Sequence, residues 1–311
     1  MPFPEEQLDS SVGYFVGEPG TTLQGGEWTI TRKLGWGPCS TTWLASNSKN
    51  PDKIDILAIK IFTVAATQDG VAANERDLLA GPLQKEFQVL PSLVSSFYEE
   101  TAEGKHLALV LNVLGPSVES FRVASGGSLP LPAVKKIVSD VLECLATIHD
   151  KKIVHTAVSA ENILFAGIQQ VPDILAAVAK SPSVKAEDVT DAQGNVFKVV
   201  KSQPFREVTK SDDISDLALY LSNFGHALPE QGDVSSKSDI LSLGATVYFL
   251  LTGTQLPAAA GNIEELLTLN SNLAKEDIPS TASFLQSLLV PDPTQRPSAY
   301  DIFRNSWSWL Q

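Results

Sequence analysis

Residues 152–164 read KIVHTAVSAENIL, with apolar Ile153-Val154 and Ile163-Leu164 flanking a stretch that carries His155, Thr156, Ser159, Glu161 and Asn162. Immediately upstream, LPAVKKIVSDVLECLATIHD (131–150) sets Val134, Ile137, Val138, Val141, Leu142, Leu145 and Ile148 at helical spacing, with charges on the other face. That spacing predicts an amphipathic helix. Downstream, residues 165–222 are poorly periodic and rich in Asp, Ser, Lys and Val; a short helix is expected near PDILAAVAK and a strand near NVFKVVKS. Next come SNFGHALPE (222–230) and DILSLGATVYFLLTG (239–253), the latter apolar nearly all round and so expected to form a helix buried on every side. The tail STASFLQSLLVPDPTQRPSAYDIFRNSWSWL predicts two more helices around a Pro-rich break.

The first third of the chain has a different character. WTITRKL (28–34), TTWLAS (41–46) and ILAIKIF (56–62) are β-type runs separated by the turn-forming stretches GWGPCS and NSKNPDK, which is the pattern of an antiparallel meander. DGVAANERDLLA (69–80) suits a short helix, and HLALVLNVL (106–114) reads as strand. Residues 1–26 read as an extended lead-in. A small β-rich lobe followed by a larger helical lobe is the coarse expectation, an α+β architecture.

The chain has 311 residues, of which 23 are Lys or Arg and 36 Asp or Glu, giving a formal net charge of −13. A hydrophobic fraction of 43% with 19% charged residues is that of a folded protein rather than a disordered tail. The acidic balance argues against a general nucleic-acid binder and against docking to anionic membrane. Cys39 and Cys144 form neither a metal-ligand spacing nor a disulfide framework. The opening MPFPEEQLDSS lacks the basic and apolar regions of a signal peptide, and no apolar run approaches the length of a membrane span. A cytoplasmic or nuclear location is expected.

Each polar residue that stands out has a bland reading when taken alone. A Gly-rich hairpin such as GWGPCS is usually just a turn, a strand lysine such as Lys60 usually faces solvent, and so does a helix glutamate such as Glu75. Taken in order, however, the Gly-rich hairpin, Lys60, Glu75, LVLNVLG, VHTAVSAENILF, SNFG, SDILSLG and DPTQRPS form a series that resembles the eukaryotic protein kinase domain over roughly residues 26–310. RKLGWGPCSTTWLA and KIVHTAVSAENIL are most similar to the SR-protein kinase branch. The resemblance implies a bilobal fold: a lead-in over 1–25, an N-lobe over 26–114 with a hinge at 112–115, and a C-lobe over 116–311 carrying a long insertion at about 165–222.

Carried over position by position, the resemblance implies that Gly35 and Gly37 cover nucleotide phosphates, Lys60 holds the α- and β-phosphates, and Glu75 orients Lys60. Leu111 would guard the adenine pocket, Asn112 to Leu114 would form the hinge, and Thr42 stands where the family prefers Val. Asn162 and Asn223 occupy the two metal-ligand positions. His155 and Phe224 would pack together, Asp239 would hold the backbone of the 155–162 loop, and Glu230 and Arg296 would form an ion pair. ATP is the implied cofactor.

Three departures set the chain apart. Ala157 replaces the Asp that accepts the substrate proton, a contribution typically worth ~10²–10⁴-fold in rate, and Ser159 replaces a charge-stabilising Lys. Asn223 replaces the metal-binding Asp, so magnesium is expected to be weak or absent. Only His226, Ala227 and Leu228 separate Gly225 from Pro229-Glu230, leaving no room for an activation loop. The sequence therefore points to a pseudokinase that scaffolds or regulates a protein partner, with the 165–222 insertion as one contact surface. The alternatives are an ATP-dependent enzyme with weak serine/threonine kinase or other group-transfer activity, and an obligate subunit of a complex. His106, His149 and His226 read as surface or packing residues, Cys39 as reactive only beside positive charge, and Trp307 and Trp309 as core of the last helix.

Overall fold

Apolar alternation along the β-type runs builds a six-stranded antiparallel sheet, and a computed structural model of the chain describes it within residues 10–47, 49, 55–167, 170–190, 194, 196–204, 213–258, 261–304 and 309–310. The strands are β1 (Thr22–Leu23), β2 (Trp28–Gly37), β3 (Ser40–Asn47), β4 (Ile56–Phe62), β5 (Leu93–Glu100) and β6 (Lys105–Leu111), in the order β1-β2-β3-β4-β6-β5. Helices α1 (Val64–Gln68) and α2 (Val71–Ala80) follow β4. Period-two alternation gives the two faces separate cores. On one face, Trp28, Ile30, Trp43, Ala45, Ile59, Ile61, Phe97, Ala108 and Val110 are buried with Phe15, Leu23 and Val200; on the other, Leu44, Ile56 and Ala58 are buried with Val113 and Ile174.

The described residues fall into two compact units, each discontinuous in sequence. The first draws on Met1–Gln84, Pro91–Gly115 and Gly167–Arg206, the second on Lys85–Leu90, Pro116–Ala166 and Glu207–Gln311. Two sequence readings change here. The lead-in is part of the first unit: β1 pairs with β2, Phe15 is buried edge-on to Trp43, and the Val64 N–H donates to the Gly13 carbonyl at 2.9 Å. A Cβ at Gly13 would lie 2.8 Å from the Val64 side chain, and the φ of +63° there is one that glycine adopts without strain.

The insertion, placed by sequence in the C-lobe, divides: residues 167–206 belong to the first unit. The helix Val171–Lys180 presents Ile174, 1% exposed, with Val171 and Val178 to the cluster of Leu44, Ile56, Ala58 and Val113. Val184 and Ala186 pack on the opposite core. Glu187–Thr190 and Val196–Val199 form a separate antiparallel hairpin. At Gly167 an added Cβ would overlap the Val113 carbonyl, so only glycine lets the chain pass the Val113–Leu114 backbone there.

In the second unit the helix Leu131–Asp150 buries the apolar stripe read from sequence, and Lys237–Thr252 is buried on most sides, with Asp239, Leu243, Val247 and Leu251 all inside. Further helices are Val118–Ala124, Ile263–Asn270, Ile278–Leu288 and Ala299–Arg304. Trp309 stacks on Phe284 at 4.1 Å and donates from Nε1 to the Thr281 hydroxyl at 2.9 Å, closing the core near the C-terminus. Trp307 lies outside the described residues.

Candidate functional site

In the first unit β4 alternation sends Lys60 to the face opposite Ile59 and Ile61, and α2 brings Glu75 to it. The Lys60 Nζ lies 2.7 Å and 2.8 Å from the two carboxylate oxygens of Glu75, with the side chains 11% and 3% exposed. Both Glu75 oxygens are thus engaged by one ammonium, which also sits 4.8 Å from the Phe62 ring centroid. Gly35 pairs with Thr42 and Gly37 with Ser40 at the end of the β2–β3 hairpin, with Pro38 and Cys39 at its tip. A Cβ at Gly35 or Gly37 would meet nothing within 4 Å, and neither has a positive φ, so the fold itself demands glycine at neither position. The Tyr14 hydroxyl reaches the Gly37 and Pro38 carbonyls at 3.1 and 3.2 Å, a contact with no signal in the sequence. Burial pushes the Cys39 thiol pKa up against the opposing pull of Lys60, so the condition for a reactive thiol is not met.

Leu111, buried at the end of β6, pairs with Ala58 and Leu93. Asn112 is tied to Ser92 twice: its N–H donates to the Ser92 carbonyl at 3.2 Å, and its side-chain oxygen accepts from the Ser92 N–H at 2.8 Å. Leu114 opens the short strand Leu114–Ser117.

In the second unit Asp239, fully buried, organises the loop after Val154. Its carboxylate accepts from the His155 N–H and the Thr156 N–H at 2.8 Å each, and lies 2.9 Å from His149 Nε2. His149 therefore has a specific partner, which its spacing did not reveal. The His155 ring meets Phe224 edge-on at 4.9 Å, and its Nε2 lies 2.9 Å from the Ser222 carbonyl. Ala157 occupies its place with only backbone chemistry to offer: its N–H faces His155 Nδ1 at 3.3 Å and its carbonyl accepts from Asn162 Nδ2 at 2.8 Å. Ser159 contributes its carbonyl to the Asn162 N–H at 3.0 Å.

Asn162 and Asn223 come together. The Asn223 Nδ2 donates to Asn162 Oδ1 at 3.1 Å, from a backbone at φ 74°, ψ 61°. Phe224–His226 forms one 3₁₀ turn, then Leu228–Pro229 pairs with Ile153–Val154, and the Glu230 N–H donates to the Lys152 carbonyl at 2.8 Å.

The expected Glu230–Arg296 ion pair is not formed. Glu230 accepts from the Ser236 N–H at 3.0 Å and lies 3.5 Å from Lys152 Nζ; the Ser236 hydrogen bonds hold its pKa below the usual carboxylate value. Arg296 instead donates to the carbonyls of Val290, Lys237 and Pro291. Burial lowers its pKa, and three backbone acceptors replace the carboxylate.

The residues present fit a nucleotide better than they fit its metal. The Lys60–Glu75 pair and the open glycines suit phosphate oxygens. For a divalent cation the donor set is two neutral amides already bonded to each other, and no cluster of three His, Cys, Asp or Glu side chains occurs among the described residues. That set does not fit magnesium, which favours carboxylate ligands.

No family model matches the chain. SRSF protein kinase 3 of Mus musculus is 33% identical over 159 residues, covering 49% of this chain and 27% of that protein. The serine/threonine-protein kinase SRPK of Physarum polycephalum is 34% identical over 141 residues, covering 43% of this chain and 32% of that protein. The chain thus matches about a third or less of the length of these curated relatives. A crystal structure of a kinase domain superposes with a TM-score of 0.64 over 97% of this chain and 100% of that one; at 17% identity it shows the fold alone.

Proposed function

Taking as premise that the chain is a protein-kinase-like protein similar to the SR-protein kinases, we propose that it acts by binding, as a pseudokinase that scaffolds or regulates a protein partner. The observation that carries this reading is the state of the 155–162 loop: Ala157 stands at the base position, while the buried carboxylate beside it, Asp239, is committed to two backbone N–H groups and His149. The Ala157 methyl cannot take a proton from an acceptor hydroxyl, and Asp239 is already engaged. The two-residue strand after Gly225 adds a geometric obstacle, because phosphoryl transfer needs its acceptor held in line.

Nucleotide binding is a separate matter, and the Lys60–Glu75 pair favours it. ATP is the ligand whose phosphates suit that ammonium and the open Gly35 and Gly37. The protein is expected to gain thermal stability with millimolar ATP, since stabilisation follows RT ln(1 + [L]/Kd), and Lys60→Ala should abolish the gain. The same protein incubated with labelled ATP and a protein acceptor should transfer no phosphate. Transfer that disappears on Lys60→Ala would establish the alternative reading, a weak serine/threonine kinase.

A further inference from the structure

The contact between Asn162 and Asn223 can be read atom by atom. The Ala157 carbonyl can only accept, so the Asn162 side-chain atom 2.8 Å from it is Nδ2. Oδ1 of Asn162 must then face Asn223. Two oxygens 3.1 Å apart repel unless a proton or cation lies between them, so Asn223 presents its Nδ2–H. The orientation of both amides follows from one backbone carbonyl. The Asn162 backbone is fixed as well: its carbonyl accepts from the Ser222 N–H at 2.9 Å and the Ser222 hydroxyl at 3.0 Å.

We propose that the Asn223 amide N–H takes the place of a divalent cation beside Asn162, so that the second unit is built to work without metal. A carboxylate at residue 223 would set two acceptors against each other and need a cation to bridge them; the asparagine supplies the positive end itself. This inference rests on the binding reading above.

The test uses Mn²⁺ alone, with melting temperature and electron paramagnetic resonance of free Mn²⁺ as readouts. Wild type should show no melting shift with Mn²⁺. Asn223→Asp should melt below wild type in EDTA and rise with Mn²⁺, binding it at least about tenfold tighter than wild type, because a full charge replaces a neutral oxygen. Wild type binding Mn²⁺ as tightly as N223D would overturn the proposal. Should N223D fail to fold, wild type is compared with Asn162→Ala: Mn²⁺ uptake that N162A removes overturns the proposal, and uptake equal in both is surface binding that supports it. Mn²⁺ capture at Asn162 without phosphate transfer would sink only this inference, whereas metal-dependent transfer would sink the binding reading.

Discussion

Asp239 has no exposed surface and receives the His155 and Thr156 N–H groups, so its replacement strands one buried donor and one part-buried one. Asp239→Ala is expected to destabilise the protein by about 3–5 kcal/mol, the usual result of deleting one side of a buried charged network, measured by urea unfolding. Glu230 gives a smaller, pH-dependent effect. Its folded pKa lies below the ordinary 4.5 because the Ser236 side chain and N–H bond the carboxylate. The stability it contributes is present above that ordinary value and is lost as pH falls through the lower folded one. Glu230→Gln should therefore flatten the acid limb of the stability–pH curve by under about 1 kcal/mol. The Cys144 thiol is pushed up to about 12 by complete burial, so alkylation at neutral pH should reach Cys144 only on unfolding, as mass spectrometry of labelled protein would show. Lys60 and Glu75 could be named from sequence only through the ordered series of motifs that resembles the kinase domain, since each alone reads as a surface residue. The Asn162–Asn223 bond could not, since 61 positions separate the partners and each alone looks like a surface amide.

Among the elements, the helix Leu131–Asp150 was readable to its ends because its stripe is strictly periodic and a proline marks its start. The strand Leu93–Glu100 was not recognised: its LVSSFYEE lies at the sheet edge, exposed at Val94 and Tyr98, and shows no clean alternation. The helix Val171–Lys180 was expected near its observed place, but its packing was not. Its Ile174 fills the core on one face of the sheet, which the notion of the whole insertion as a partner surface did not foresee. Ile174→Ala should cost about 2–4 kcal/mol in the first unit, the range for deleting a buried branched side chain, whereas Leu175→Ala, at a position 45% exposed, should stay within about 0.5 kcal/mol. Equal effects from the two would show that the helix is not docked.

At the scale of the whole molecule, neither unit is a continuous stretch of chain, and this changes how the protein can be divided. A fragment ending at residue 115 would leave Leu44, Ala58 and Val113 without Ile174, and Trp28 and Ile30 without Val200. Such a fragment is expected to bind a hydrophobic dye and aggregate, and joining residues 167–204 to it through a flexible linker should restore a cooperative melt. A cooperative, dye-free fragment without the insertion would contradict this assignment.

The sequence alone determined the two-part architecture, the order of the kinase-like motifs and the residues Ala157, Ser159 and Asn223 within them, because periodicity and residue identity are local properties. The tertiary structure decided which buried groups meet: that Arg296 satisfies backbone carbonyls rather than Glu230, that part of the insertion completes the first unit's core, and that two asparagines bond to each other. These outcomes depend on competition among partners distant in sequence, and hydrogen-bond geometry and burial settle that competition only once the chain has folded.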